Sequence, residues 1–590
     1  MKETLPTWDL TAIYRNLEEW ERDAARIRPL TEKFAAYRGR LAESPAVMRE
    51  AIEAQDAASR LTAKVYTYAH LLSDEDTSNN PNRARVDKLD ALLASLSELE
   101  AWFEPEFMRI PDEKLKEFLA SPELAFYRRS IEELLRDKEH TLSEPEERIL
   151  GVLSDVLGSS ASTFELLNDA DLTFGSVRDG GGKSVKLTHG SYRRLMEDPS
   201  REVRRAAFKK LYRRYREFRN TFASTLDGEI KSHAASAKLR KYPSCLAEAL
   251  SDDNVPEQVY TNLIDTVHAK LECFYPYMEL RRRMMKLDKL DMYDIYNPLI
   301  PAAAGRYTFE QAEQLVKEAL APLGEEYVRD LDRAFTERWI DAPERKGKRS
   351  GAYSSGCYDS YPYLLLNYNS TLDDVFTLAH ELGHSMHSFY SHRAQKYHYA
   401  GYRIFVAEVA STTNEILLSE HLLRHAKSSA ERAYIYGHLL DEIRGTIYRQ
   451  TMFAEFELAL HRKAEAGVPL TADELTHEYY ELNRLYYGDA VKADPLIGLE
   501  WARIPHFYYD FYVYKYATGM SAALVLAKNL LSGDKAKREA YLGFLRAGDS
   551  KDVLDIMKDA GVDLSTPAPV ASALDYFGET VEKLRRELGL

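Results

Sequence analysis

Along most of the chain, apolar residues recur at three- and four-residue spacing among charged ones, the period of an amphipathic helix. Segments such as ERDAARIRPLTEKFAAYRGRLAES (21–44) and RVDKLDALLASLSELEAWFEPEF (85–107) follow it throughout. Helix starts are marked where Ser143 precedes Glu146 and Thr471 precedes Glu474, the spacing of a capping box. No fixed-period repeat is present, which disfavours a solenoid. Three stretches break the helical period. LTFGSVRDGGGKSVKLTHG (172–190) alternates, turns on Asp179–Gly182 and alternates again, predicting a hairpin near 172–187. MYDIYNPLIPAAAGRYT (292–308) is a connector punctuated by Pro and Gly. GAYSSGCYDSYPYLLLNYN (351–369) ends in YPYLLLNYN, short, aromatic and apolar, hence a strand. The pattern predicts a mainly α protein with a small β element. It also suggests an N-terminal helical domain over 1–200 and a second domain over 201–590.

Composition narrows the class. With 590 residues, 45% hydrophobic and 29% charged, the chain is globular and long enough for more than one core. Its net charge of −15 argues against nucleic acid as a partner. The three cysteines, Cys245, Cys273 and Cys357, are scattered and form no C-x-x-C, which fits a reducing compartment. The start, MKETLPTWDLTAIY, is polar where a signal peptide would be apolar, and no apolar run approaches the roughly 20 residues of a membrane span. A cytoplasmic protein without membrane attachment is expected.

The candidate chemistry lies in TLAHELGHSMHS (377–388), which contains an H-E-x-x-H. The stretch from Leu372 to Ser391 reads as helix, with Val375, Leu378, Leu382, Met386 and Phe389 on an apolar side. At about 100° per residue, His384 lies some 40° round from His380, and Glu381 about 60° beyond His384. Two imidazoles one turn apart can hold one ion, with the carboxylate beside them placed for a water. Two histidines do not complete a catalytic zinc site, however, and an H-E-x-x-H can arise by chance on a solvated face. The third histidine of H-E-x-x-H-x-x-G-x-x-H is missing, because position 390 is Tyr390. A following helix, YRIFVAEVASTTNEILLSEHLL (402–423), offers Glu408, Glu415 and Glu420. Glu408 stands among Phe405, Val406, Val409 and Ala410, where a lone carboxylate is costly unless a metal or a salt bridge, such as one with Arg403, compensates. Glu415, seven residues on, shares its face and suits a carboxylate that orients a ligand imidazole.

These residues bring the chain into resemblance with a known family. WDLTAIY, MYDIYNPL, GAYSSG…LLNY, FTLAHELGHSMHS, FVAEVASTTNE and PHFYYDFYVYKYATG appear in order over nearly the whole length. In these the chain resembles oligoendopeptidase F, of the thimet-oligopeptidase-like zinc metallopeptidases. The resemblance implies a mainly helical, two-lobed molecule of the gluzincin type, with a deep substrate channel and the β element beside the active site. It implies one zinc per chain on His380, His384 and Glu408, with Glu381 as general base. It also implies hydrolysis of internal bonds of short peptides by attack of a zinc-bound water. Where the family has GAYCSG, this chain has GAYSSGCYDS, with its cysteine three residues later.

The run PHFYYDFYVYKYATGMSAA (505–523) reads first as aromatic core followed by helix. Hydrolysis also needs donors for the oxygen on which charge develops, worth on the order of 3 kcal/mol each. Tyr509, Tyr512 and Tyr516 fall at i, i+3 and i+7 of a helix, with His506 a turn before. Similar enzymes use a histidine and tyrosines in this region, and the order of preference is His506, Tyr512, Tyr509. The strand 351–369 is either internal or an edge that pairs with a peptide's main chain. Rival functions stay open at this level. An aminopeptidase would need a G-x-M-E-N-like stretch, which the chain lacks. A metallocarboxypeptidase would need a basic residue for the terminal carboxylate, and Arg503 or Lys515 could serve. A peptide-binding protein with structural zinc would have no use for Glu381.

Overall fold

The computed structural model describes residues 5–300 and 305–590. Positions 301–304 of the connector expected over 292–308, and the first four residues of the domain expected over 1–200, lie outside them. The described residues are mostly helical, with five short strands. In chain order, the elements that matter below begin with helices α1 (Leu17–Ala35), α2 (Pro45–Glu75) and α3 (Asn80–Glu100). Strands β1 (Ser176–Arg178) and β2 (Ser184–Lys186) precede α4 (Arg219–Leu239). Then come β3 (Ile340–Pro343), β4 (Tyr353–Ser355), β5 (Tyr363–Tyr368), α5 (Leu372–Ala394) and α6 (Ile404–His425). The last are α7 (Arg449–Glu465), α8 (Tyr514–Leu531), α9 (Lys535–Ala547) and α10 (Ala568–Glu587). No helix among the described residues is long and apolar enough to cross a membrane.

Local chemistry sets many of the helix ends. Asn16 caps α1 by accepting the N–H of Glu19 at 3.0 Å, and Ser44 caps α2 through Val47, with Pro45 at the first helical position. Thr471 caps the helix Ala472–Tyr487 as expected, accepting from the Glu474 N–H at 3.3 Å. The Glu474 carboxylate, however, is bonded to Lys463 (2.7 Å), because a full charge outcompetes a neutral amide for it.

The chain folds as two compact units, each assembled from three separated segments. The first comprises residues 5–144, 305–421 and 526–561. One of its cores gathers Phe34, Met48, Phe107, Leu115, Leu124 and Ile131, from α1, α2 and the short helices that follow α3. Its sheet has the order β3-β5-β4, with β5 parallel to β3 and antiparallel to β4. The strand expected at YPYLLLNYN is therefore the central one, which is why Tyr363, Leu364, Leu365 and Leu366 are all buried. Both of its edges are taken within the sheet, so of the two alternatives β5 is internal.

The second unit comprises residues 145–300, 422–525 and 562–590, and position 200 lies within it. The hairpin near 172–187 is present, with Val177 opposite Val185. Its turn is closed by Asp179, whose side chain accepts the N–H groups of Gly181 (3.1 Å) and Lys183 (2.9 Å).

Candidate active site

The H-E-x-x-H lies in the first unit, on α5. A reciprocal cap starts this helix: Thr371 Oγ1 accepts from the Asp374 N–H (3.1 Å), and the Asp374 carboxylate accepts from the Thr371 N–H (2.8 Å). Asp373 and Asp374 in the first turn and His392 and Arg393 in the last suit the helix dipole. Val375, Leu378, Leu382 and Met386 are fully buried, as the spacing predicts, while Phe389 stays partly exposed.

Helix α6 crosses α5 closely, and a glycine permits it. A Cβ on Gly383 would stand 2.5 Å from Ser411 Cα, 2.8 Å from Ser411 N and 2.9 Å from Ala410 O. The two backbones thus meet at the x-x of the motif, and Asn414 Nδ2 ties them further by donating to Ala379 O (3.0 Å). The approach delivers Glu408 to the histidines. His380 Nε2 and His384 Nε2 are 3.2 Å apart, and Glu408 Oε2 lies 3.4 and 3.5 Å from them. Donors held at about 2.0–2.1 Å from a tetrahedral zinc are separated by about 3.3 Å, so this triangle fits the ion. Among the described residues it is one of two groups of this kind.

Neighbouring groups orient the three donors. Glu415 Oε1 lies 3.1 Å from His380 Nδ1, which turns the other ring nitrogen towards the triangle. Ser411 Oγ donates to Glu408 Oε2 at 3.1 Å. Arg403, the salt-bridge alternative for Glu408, is instead bonded to Glu133 (2.9 Å) and Asp549 (3.3 Å). The charges at the site act on one another. Burial disfavours the His380 imidazolium, but Glu415, Glu381 and Glu408 outweigh it and raise its pKa to about 9. Hydrogen bonding to His384 holds Glu408 down at about 2, against the effect of burial.

Glu381 is only 7% exposed, and burial raises its pKa above the ordinary carboxylate value. The nearby histidines and the backbone N–H of Ser354, in β4, work the other way. Ser354 Oγ is also 2.8 Å from Ser385 Oγ on α5, which fixes the edge strand beside Glu381. His387 is not among the converging donors: it is buried, and its ring stacks on Tyr402 with centroids 3.8 Å apart.

The aromatic candidates belong to the second unit. His506 sits in a 3-10 turn, Pro505–Tyr508, with Tyr516 Oη 3.3 Å from its Nε2. Its ring centroid lies 5.5 Å from that of Tyr509 and 6.2 Å from that of Tyr512. Burial lowers the His506 pKa and so favours the neutral ring, while Tyr509 is 51% exposed. The single helix expected through Tyr509, Tyr512 and Tyr516 does not form. Asp510 and Phe511 have φ of 45° and 54°, and α8 begins only at Tyr514. The cause is tertiary: Phe511 is buried against His461 and Tyr260, and its N–H is taken by the Glu457 carboxylate at 2.7 Å. The two basic candidates for a carboxylate clamp are already engaged, Lys515 with Asp253 (2.7 Å) and Arg503 with Glu500 (3.4 Å).

Sequence reasoning missed Gly383, Ser411 and Ser354. A glycine inside a helical motif was a legible signal, since it costs about 1 kcal/mol of helix stability and needs a packing reason. Ser411 and Ser354 left no such trace.

The chain is similar to known peptidases along nearly its whole length. Residues 194–576 match the model of peptidase family M3, and residues 106–174 match that of oligopeptidase F. The chain is 43% identical to oligopeptidase PepF of Bacillus subtilis (strain 168), over 99% of its own length and 87% of that protein. It is 41% identical to the group B oligopeptidase PepB of Streptococcus agalactiae, over 98% of its own length and 96% of that protein. The crystal structure of oligoendopeptidase-F from Enterococcus faecium superposes with a TM-score of 0.75 at 37% identity, covering 97% of this chain and 99% of that one.

Proposed function

The chain belongs to peptidase family M3 and is a metalloendopeptidase; from that premise we propose that it uses zinc held by His380, His384 and Glu408, with Glu381 as general base, to cut internal bonds of short peptides. The observation that carries the assignment is the triangle of donor atoms at 3.2–3.5 Å with a buried carboxylate on the same helix. Zinc at such a site supplies a Lewis acid that polarises a carbonyl and lowers the pKa of a water towards about 7. Glu381 takes the proton of the attacking water and delivers it to the departing amine. Burial favours the first half of that cycle, proton uptake, by stabilising the protonated carboxyl. Glu415 keeps His380 in the orientation and tautomer that a metal needs. His506, with Tyr512 and Tyr509, is assigned to the developing oxyanion. That assignment is supported by the family resemblance and by the gathering of these rings around one imidazole. The free cysteines support a cytoplasmic setting.

The test is mass spectrometry of short peptides blocked at both ends, incubated with and without a zinc chelator. Internal cleavage that is lost on chelation and restored by zinc is expected. Trimming confined to free C-termini would sink the endopeptidase reading. Glu381→Gln should abolish turnover while leaving zinc content and peptide binding in place, and turnover retained in that variant would remove Glu381 from the mechanism.

A further inference from the structure

The second unit has its own group of convergent donors. His233 on α4, His461 on α7 and Asp510, just before α8, bring three atoms together. His233 Nδ1 is 3.1 Å from His461 Nε2 and 3.4 Å from Asp510 Oδ1, and the last two are 3.9 Å apart. The same three atoms form every side of this triangle. The ligand set, two imidazoles and a carboxylate, is that of His380, His384 and Glu408, and the separations are close to the 3.2, 3.4 and 3.5 Å found there.

The remaining ring nitrogens are disposed as metal ligands require. His461 Nδ1 donates to the Glu457 carbonyl at 2.9 Å, which leaves Nε2 without a proton and aimed into the triangle. This histidine is 1% exposed. His233 Nε2 faces Glu229 Oε1 at 3.6 Å, as His380 Nδ1 faces Glu415. Asp510 Oδ1 is buried and accepts no hydrogen bond, a costly state for a carboxylate oxygen. A cation would meet the buried carboxylate oxygen and both imidazole nitrogens at once.

We propose that His233, His461 and Asp510 form a second metal site, selective for zinc-like divalent ions, that pins the His506-bearing segment to α4 and α7. Imidazole donors favour zinc and its transition-metal neighbours over calcium or magnesium. Asp510 follows His506 by four residues, so the site would set the position of the segment that carries the proposed oxyanion donors. The competing account of the same contacts is a protonated His233 lying between Asp510 and Glu229.

The experiment is metal analysis by mass spectrometry of the untagged full chain, loaded with zinc and desalted, alongside thermal unfolding. Wild type should retain about two zinc ions per chain, H380A/H384A about one, and H380A/H384A/D510N none. Zinc should raise the Tm of H380A/H384A, and that shift should vanish with D510N. If D510N does not fold, H233Q in the same background replaces it. A folded H380A/H384A protein that retains no zinc and shows no Tm shift would overturn the site in favour of the protonated histidine. Zinc retained undiminished in the triple variant would overturn it too, by placing the ion elsewhere.

Discussion

Gly383→Ala tests how the proposed zinc site is built. In an ordinary helix this change stabilises by about 1 kcal/mol, because alanine has the higher helix propensity. Here the new methyl would stand 2.5 Å from Ser411 Cα, with Ser411 N and Ala410 O at 2.8 and 2.9 Å. Carbon atoms pack at about 3.5–4.0 Å, so α6 must retreat by roughly 1 Å. The obstructing atoms are backbone, and no side chain can swing aside. Overpacking of this kind costs about 1–3 kcal/mol, which cancels or outweighs the gain in propensity. Function should suffer more than stability. Glu408 is held by Ser411 three residues on, so the retreat carries the third ligand away from the two histidines. A misplacement of about 1 Å can cost on the order of a hundredfold in rate, and that loss is expected in kcat/KM. Titration with a competing chelator should show weaker zinc binding, while circular dichroism reports an intact fold. A variant with raised Tm and unchanged zinc affinity would refute the close approach as the device that completes the site.

Glu415→Gln should weaken zinc binding by about 10–100-fold with little change in Tm, and unaltered affinity in a chelator titration would remove its orienting role. His506→Ala should lower kcat by about 10²–10³-fold with zinc content at His380, His384 and Glu408 unchanged, and Tyr512→Phe by less; a change in KM alone would instead make His506 a binding residue. Acid should act through His387, whose burial, with His384 and His392 adding to it, pushes its pKa from 6.5 down to about 3. Between those values the unfolded chain takes up a proton that the folded chain refuses, so stability falls as pH drops through that window, by up to about 1.4 kcal/mol per pH unit. His387→Phe keeps the stack on Tyr402 and should flatten that slope in urea titrations; identical slopes would exonerate His387.

Much of this was legible because the decisive information was local. The helix over 372–391, its apolar side and the adjacency of His380, Glu381 and His384 follow from helical period alone, while the Asp179 turn and the strand in YPYLLLNYN (361–369) were marked by local breaks in that period. Glu408 and Glu415 were legible as two carboxylates on one face of an apolar helix. What escaped was tertiary. Nothing near Tyr509 announces that Phe511 will be drawn into a pocket lined by His461 and Tyr260, yet that contact breaks the expected helix. The strand's central position depends on β3, more than twenty residues earlier. The meeting of Gly383 with Ser411 is a contact between two helices that no single-helix pattern contains. Lys463 diverting Glu474 from its cap is the same lesson on the surface.

The segmented make-up of the first unit bears on how the protein is made. Helix α5 carries two proposed ligands, yet it rests on α9, through His387 against Phe544 (4.8 Å between ring centroids) and Gln395 Nε2 donating to Arg546 O (2.8 Å). Those partners leave the ribosome about 150 residues after α5, a wait of roughly 8–30 s at ordinary synthesis rates. Until then Phe544 cannot cover its side of α5, and the last segment of the unit, 526–561, is missing. The helix that carries the proposed ligands is thus translated long before the unit around it can close. A ribosome stalled beyond residue 425 would then present the three proposed ligands on a unit that lacks its last segment.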